Sequence, residues 1–323
     1  MRTEEKACIA ALSGMSASHS VEITTINLFH FRWRFLLVAI FLCLVVTAQA
    51  QHDRTFWRSI AAQHYAVPEH ESADVLAHEL SALLASPDPE LRDDLAYSIL
   101  GHWILRGNLS TPALLALTDE WRNNLSRGLG ERGTDSVLLR SFSALCLSEM
   151  AKREAKSPFM GAERYHRLVA EAVEYLLAER DLRGYDATLH WIHATAHTAD
   201  LLAALADDAL LTKDEAAGIV HAVAARLSTA TEVFTQGEQD RLAAALVSVL
   251  RRPDFDASMF PPWLAHLVDE DRDVWTATTP ESLARYQNHN YLLQALTVRL
   301  LLEPDSPRMA QYRQQVLAVL AQR

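Results

Sequence analysis

Cysteine is nearly absent, with 3 in 323 residues. That is too few for a disulfide-dense scaffold or a Cys-rich zinc module. Glycine is scarce too, and no Gly-rich phosphate loop, dinucleotide-binding fingerprint or G-x-S-x-G elbow occurs. Nowhere do β-branched residues alternate with polar ones over a useful length, so no strand is predicted. Basic charge is in deficit: 30 Lys and Arg stand against 41 Asp and Glu, a formal net charge of -11. A duplex-binding protein carries a basic face, so no nucleic-acid partner is expected. What the chain has is apolar residues, half of the total, enough for a substantial core.

One long apolar run occurs, FLLVAIFLCLVV at 35–46. Arg32 and Arg34 precede it, and Ala48 and Ala50 stand at the -3 and -1 positions of a cut before Gln51. This is the pattern of a secretory signal peptide with an unusually long n-region over 1–50, unless translation starts downstream, for instance at Met15. Periplasmic or secreted localisation is expected. The alternative is a transmembrane anchor in the inner membrane, with Trp33 at the interface and membrane contact only through residues 33–50 if uncleaved. Cleavage would remove Cys8 and Cys43 and leave Cys146 alone in an apolar helical run, where burial is expected.

From 51 to 323 the pattern predicts a single all-helical domain of about ten to thirteen helices with short joints. Val75, Leu76, Leu80, Leu83 and Leu84 have helical spacing. Asp88 before Pro89 caps a helix through Leu91, Leu95, Ile99 and Trp103. Ser110 before Thr111-Pro112 opens another, and Thr212 with Glu215 forms a capping box. Asp186 or Thr188 is expected to start a helix carrying Trp191. So many helices suit stacked antiparallel hairpins, an α-solenoid-like or α/α array.

Chemistry is densest in RGYDATLHWIHATAHTAD, residues 183–200. On a helix, His190, His193, His197 and Asp200 fall on one stripe about 80° wide. His193 and His197, one turn apart, can share a metal, with Asp200 as a third ligand or as the orienter of His197. Ala194 stands where a zincin has its general-base Glu, so this is not that motif, and adjacent turns of one helix do not easily close a tetrahedron, so a further ligand is needed from His102, His221, Asp240 or His289. Zinc is therefore possible but not required, and the catalytic and metal candidates are His193, His197 and Asp200. The competing readings are a buried polar seam that only joins helices and a small-molecule pocket. Further pocket candidates are Arg140, Arg183, Trp191, Glu238, Asp240, Arg241 and His289. For Arg140 and Arg183, pairing with carboxylates is favoured over anion binding, because the chain is rich in carboxylates. Tyr286, Asn288, His289, Asn290 and Tyr291 form a polar-aromatic patch that either lines a pocket or packs in the core.

Several short segments carry a family resemblance. They are Leu91-Arg92-Asp93-Asp94, Arg140-Ser141-Phe142, Arg183-Gly184-Tyr185, then Trp191, His193, His197 and Ala199-Asp200, Gly237-Glu238 with Arg241, and Asn290-Tyr291-Leu292. In order and spacing they resemble the bacterial family called domain of unknown function 2785. The resemblance implies an all-helical fold and brings no activity, substrate or cofactor with it. His190 and Thr198 stand where the family tends to have Gly, which ranks His193, His197 and Asp200 above His190. Two functions follow as expectations: a helical-repeat scaffold or binding module with a buried His/Asp/Arg seam, its protein or small-molecule partner unnamed, or a metal-assisted hydrolase or other enzyme centred on those three residues.

Overall fold

A computed structural model describes residues 52–304 and 306–323, which pack as one unit, His52–Arg323. The short helices α1 (Arg54–Ala62) and α2 (Ala73–Leu83) lead into α3, which begins as a π-helix (Glu90–Tyr97) and continues as an α-helix (Ser98–Arg106). Then come α4 (Thr111–Asn124), α5 (Ser136–Lys156) and α6 (Ala162–Ala178). Two strands follow, β1 (Tyr185–Asp186) and β2 (His190–Trp191), paired antiparallel. The rest is helical: α7 (Ala194–Ala206), α8 (Lys213–Ser228), α9 (Glu238–Arg251), a single 3-10 turn (Ala257–Met259), α10 (Phe260–Glu270), α11 (Pro280–Leu302) and α12 (Pro307–Leu320).

The helices stack in two rows. In the first, α3 packs on α5, α5 on α7, α7 on α9 and α9 on α11. In the second, α6 packs on α8, α8 on α10 and α10 on α12. Successive helices cross between rows at α4–α5, α6–α7, α8–α9 and α11–α12. This is the all-helical stacked array that the spacing predicts. The first row is the inner one. Helices α5 and α7 are buried on nearly every face, and their apolar and small residues run all round rather than along one stripe.

Local chemistry sets the helix ends. Ser110 accepts from the Ala113 amide, and Thr212 and Glu215 close the capping box. The last carbonyls are met by arginines from other helices. Arg226 of α8, fully buried, donates to the Leu176 and Glu179 carbonyls at the end of α6, and Arg252 to those of Ala206, Asp208 and Leu211 after α7. Burial pushes the Arg226 guanidinium down to about 10, still charged at neutral pH.

Three expectations are corrected here. The helix expected from Asp186 or Thr188 is a tight hairpin up to His193, and the π stretch stands where an ordinary helix is expected. Asp186 instead accepts from the Thr188 and Leu189 amides and shapes the turn. The transmembrane alternative is also corrected: no helix among the described residues is long and apolar enough to cross a membrane. The run 35–46 and its cleavage site lie outside the described residues. Cys146 is buried, and burial pushes its thiol up, away from a reactive thiolate.

Candidate functional site

The hairpin is built by partners distant in sequence. Arg92, fully buried in the π stretch, donates through Nη1 to the Ser86 carbonyl (2.8 Å) and through Nη2 to those of Leu189 and Trp191 (3.2 Å to Trp191). Its guanidinium lies over the Phe142 ring, 4.8 Å from the centroid. Ser141 of α5 donates to the Ile192 carbonyl. The Ile192 and His193 amides donate back to the carbonyls of Gly184 (2.9 Å) and Arg183 (3.1 Å). His190 and His193 both have positive φ, 57° and 53°, so the chain turns sharply at each. Helix α7 begins only at Ala194, with His193 as its N-cap.

The single helical stripe His190–His193–His197–Asp200 is therefore not formed. His190 stacks on Tyr185 in the hairpin. His193 donates from Nε2 to the Gln236 carbonyl (3.1 Å), beside the Glu238 carboxylate (3.4 Å). Burial would lift the Glu238 carboxyl, but His193 and the Gln236 and Glu238 main-chain amides together outweigh this and hold it low. Gly184 makes this packing possible: a Cβ there would lie 2.5 Å from Glu238 Oε1 and 2.6 Å from Gln236 Oε1. Asp200 is bonded to Arg241 rather than to His197.

His197 is 7% exposed. Its Nδ1 lies 2.8 Å from Ser141 Oγ. The Ser141 proton goes to the Ile192 carbonyl, so the hydroxyl accepts from the ring and Nδ1 carries the hydrogen. That leaves Nε2 as a lone pair, and it has no hydrogen-bond partner among the described residues. Burial, with His193 and Arg241 nearby, keeps the ring neutral, well below its ordinary value.

His197 opens into a cavity of about 480 Å³. His193, Trp191, Asp200, Asp240 and Arg241 line it, together with Asp93 and Tyr97 from the π stretch, Leu145 and Lys152 from α5, and Gln236-Gly237. The π stretch carries Asp93 and Tyr97 into the wall, and π-helical turns recur at functional sites. Burial, with Asp94 adjacent, lifts the Asp93 carboxyl above its ordinary range against the pull of Arg92 and His190, and among the described residues its carboxylate has no hydrogen bond or ion pair. Tyr97 donates to Glu149 Oε1 (3.2 Å), and Lys152 does the same (2.8 Å).

Other expected site residues lie elsewhere. Arg140 pairs with Glu179 and Arg183 with Asp181, so the pairing reading holds for both and neither lines the cavity. Burial opposes the Arg140 charge, and Glu179 outweighs it. His289 is buried against Asp271, away from the cavity, and Asn288 holds the Phe234 amide and the Glu232 carbonyl. His102 stacks on Tyr65 and bonds the Ser98 carbonyl, and His221 is exposed. Among the described residues no three His, Cys, Asp or Glu side chains stand close enough to hold a metal ion, because each supposed ligand is turned to a different partner. The zinc reading, and the metal-assisted hydrolase built on it, lose their support.

Sequence reasoning named Asp93 only as part of Leu91–Asp94 and missed Tyr97, Leu145, Lys152 and Gln236. The spacing of Asp93 and Tyr97, one π turn apart, was the available signal. The segments that carry the family resemblance meet at this cavity or directly behind it, apart from Asn290-Tyr291-Leu292 on α11. The match itself covers residues 125–298, more than half of the chain, and its description reads "Protein of unknown function (DUF2785)". The chain belongs to the DUF2785 family. No curated protein and no solved structure matches it. In this DUF2785 protein the buried His/Asp/Arg residues are bonded or salt-bridged, and the cavity is where that seam opens.

Proposed function

We propose that this DUF2785 protein is a binding module that holds a small polar molecule in the cavity between α3, α5, α7 and the start of α9. The observation that carries this reading is His197. It is buried, fixed in one tautomer by Ser141, and presents an unpartnered Nε2 to a space of ligand size. A merely structural seam would satisfy that nitrogen within the protein. His193, Glu238 and Gln236 form a rigid wall, and Trp191, 39% exposed and stacked on His193, forms an aromatic rim.

One observation favours a second reading, proton-transfer catalysis. A neutral imidazole and a carboxyl raised by burial, Asp93, line the same cavity, two groups able to pass a proton to or from an occupant. Both readings need an occupant.

The test is thermal stability of the purified protein against a panel of small amines, polyols and carboxylates. At least one compound is expected to raise Tm by a few degrees in wild type and not in Leu145→Trp, which fills the cavity and leaves its polar groups intact. No shift in wild type, or an equal shift in Leu145→Trp, would overturn the reading.

A further inference from the structure

We propose that the cavity selects a small organic cation rich in N–H donors, an amine or guanidinium compound, with Asp93 as its counter-ion. The inference rests on the cavity being a binding site and specifies what it binds.

The argument counts hydrogen-bonding capacity. His197 offers a lone pair at Nε2 and, with Nδ1 bonded to Ser141, no proton. Tyr97 has given its proton to Glu149, so its oxygen can only accept. Asp93, Asp200 and Asp240 are acceptors only. The charged donors are each held to an acceptor, Arg241 Nη1 on Asp200 and Lys152 on Glu149, and the His193 Nε2 hydrogen lies on Gln236, while further Arg241 and Lys152 hydrogens and the Trp191 indole N–H remain for a ligand's acceptors. A ligand that brings donors satisfies His197 Nε2 and Asp93, and one that brings only acceptors leaves both unpaired.

Charge points the same way. Asp240 is neutralised by Arg299 through two bonds (3.0 and 2.6 Å), and Asp200 by Arg241. Asp93 has no bonded cation among the described residues, although the Arg92 charge acts on it from the next position. Arg92, its neighbour in the chain, is bonded to main-chain carbonyls and lies over Phe142. Three carboxylates face two cations across the lining, and the unbalanced one is Asp93. Trp191 adds an indole, the ring that attracts cations best. A His197 lone pair and an Asp93 carboxylate in one cavity match an ammonium or guanidinium with hydrogens to spare. An anion would meet the Asp93 carboxylate, which no cation bonds among the described residues.

The test is calorimetric titration of the full chain with agmatine and putrescine, beside 1,4-butanediol as a neutral analogue and succinate as an anionic one. Saturable binding of agmatine or putrescine is expected, at least tenfold tighter than butanediol, with no binding of succinate. Asp93→Asn should weaken the cation at least tenfold, and Trp191→Leu by a smaller factor, with melting curves showing both variants folded. If Asp93→Asn fails to fold, the Trp191→Leu loss and the ranking of the four probes decide. Binding of butanediol or succinate as tight as that of the cations, or cation binding unchanged in a folded Asp93→Asn, overturns the cation inference and leaves the cavity reading standing. Binding of none of the four overturns the inference, and the cavity reading then stands or falls with the wider panel and Leu145→Trp.

Discussion

Ser141 decides what His197 can do, because a hydroxyl has one proton and this one is bonded to the Ile192 carbonyl. The imidazole donates at Nδ1 and is kept neutral by burial, His193, Arg241 and the more distant Arg92. A pH dependence follows. Below 6.5, the ordinary imidazole value, the unfolded chain takes up a proton at this ring and the folded chain does not. The His197 contribution is therefore intact above that pH and is lost as the pH falls, by up to about 1.4 kcal/mol per unit. Between pH 7 and pH 5.5 the urea midpoint of wild type is expected to drop more than that of His197→Gln, the difference amounting to about 1 kcal/mol. Equal drops would mean that the ring protonates freely in the folded protein. At this scale the sequence was partly legible. His193 toward Glu238 and the pairing of Arg140 and Arg183 follow from residue type and acidic surplus. Asp200 toward Arg241, rather than toward His197, does not, because both partners were plausible and only packing chooses.

The hairpin shows why one element was misread. Residues 186–200 have helical spacing, and α7 is indeed helical from Ala194. Ahead of it, the Leu189, Trp191 and Ile192 carbonyls are taken by Arg92 and Ser141, which lie 51 to 99 positions away in the chain. No local pattern reports such partners, whereas caps such as Thr212 and Glu215 lie within one turn and were legible. Arg92→Ala is expected to destabilise the protein by about 3 kcal/mol, since three main-chain carbonyls lose a buried donor. Hydrogen exchange should quicken first at the Ile192 and His193 amides, which close the hairpin onto Gly184 and Arg183. Uniform acceleration across α9 and α11 as well would argue that Arg92 supports the whole array rather than this element.

Across the whole molecule, stability should be graded. Each helix of a stacked array leans mainly on its neighbours, so the ends have support on one side only. Protection from exchange is expected to be greatest in α5, α7 and α9 and least in α1 and α12. Equal protection throughout would show a single cooperative unit instead. The all-helical class and the stacking were legible because they depend on spacing and loop length, both local. The cavity was not, because its wall is gathered from α3, α5, the hairpin, α7 and the start of α9, which lie far apart in the chain. One feature reaches further than stability. Asp93, Tyr97 and Arg92 all precede residue 125, where the family match starts, yet two of them line the cavity and the third pins its hairpin. The unit that inheritance must keep together is thus longer than the matched stretch, as the resemblance at Leu91–Asp94 also indicates. A gene rearrangement that joined new sequence at Leu125 would pass on every histidine of the site and lose Asp93 and Tyr97 from the wall they face.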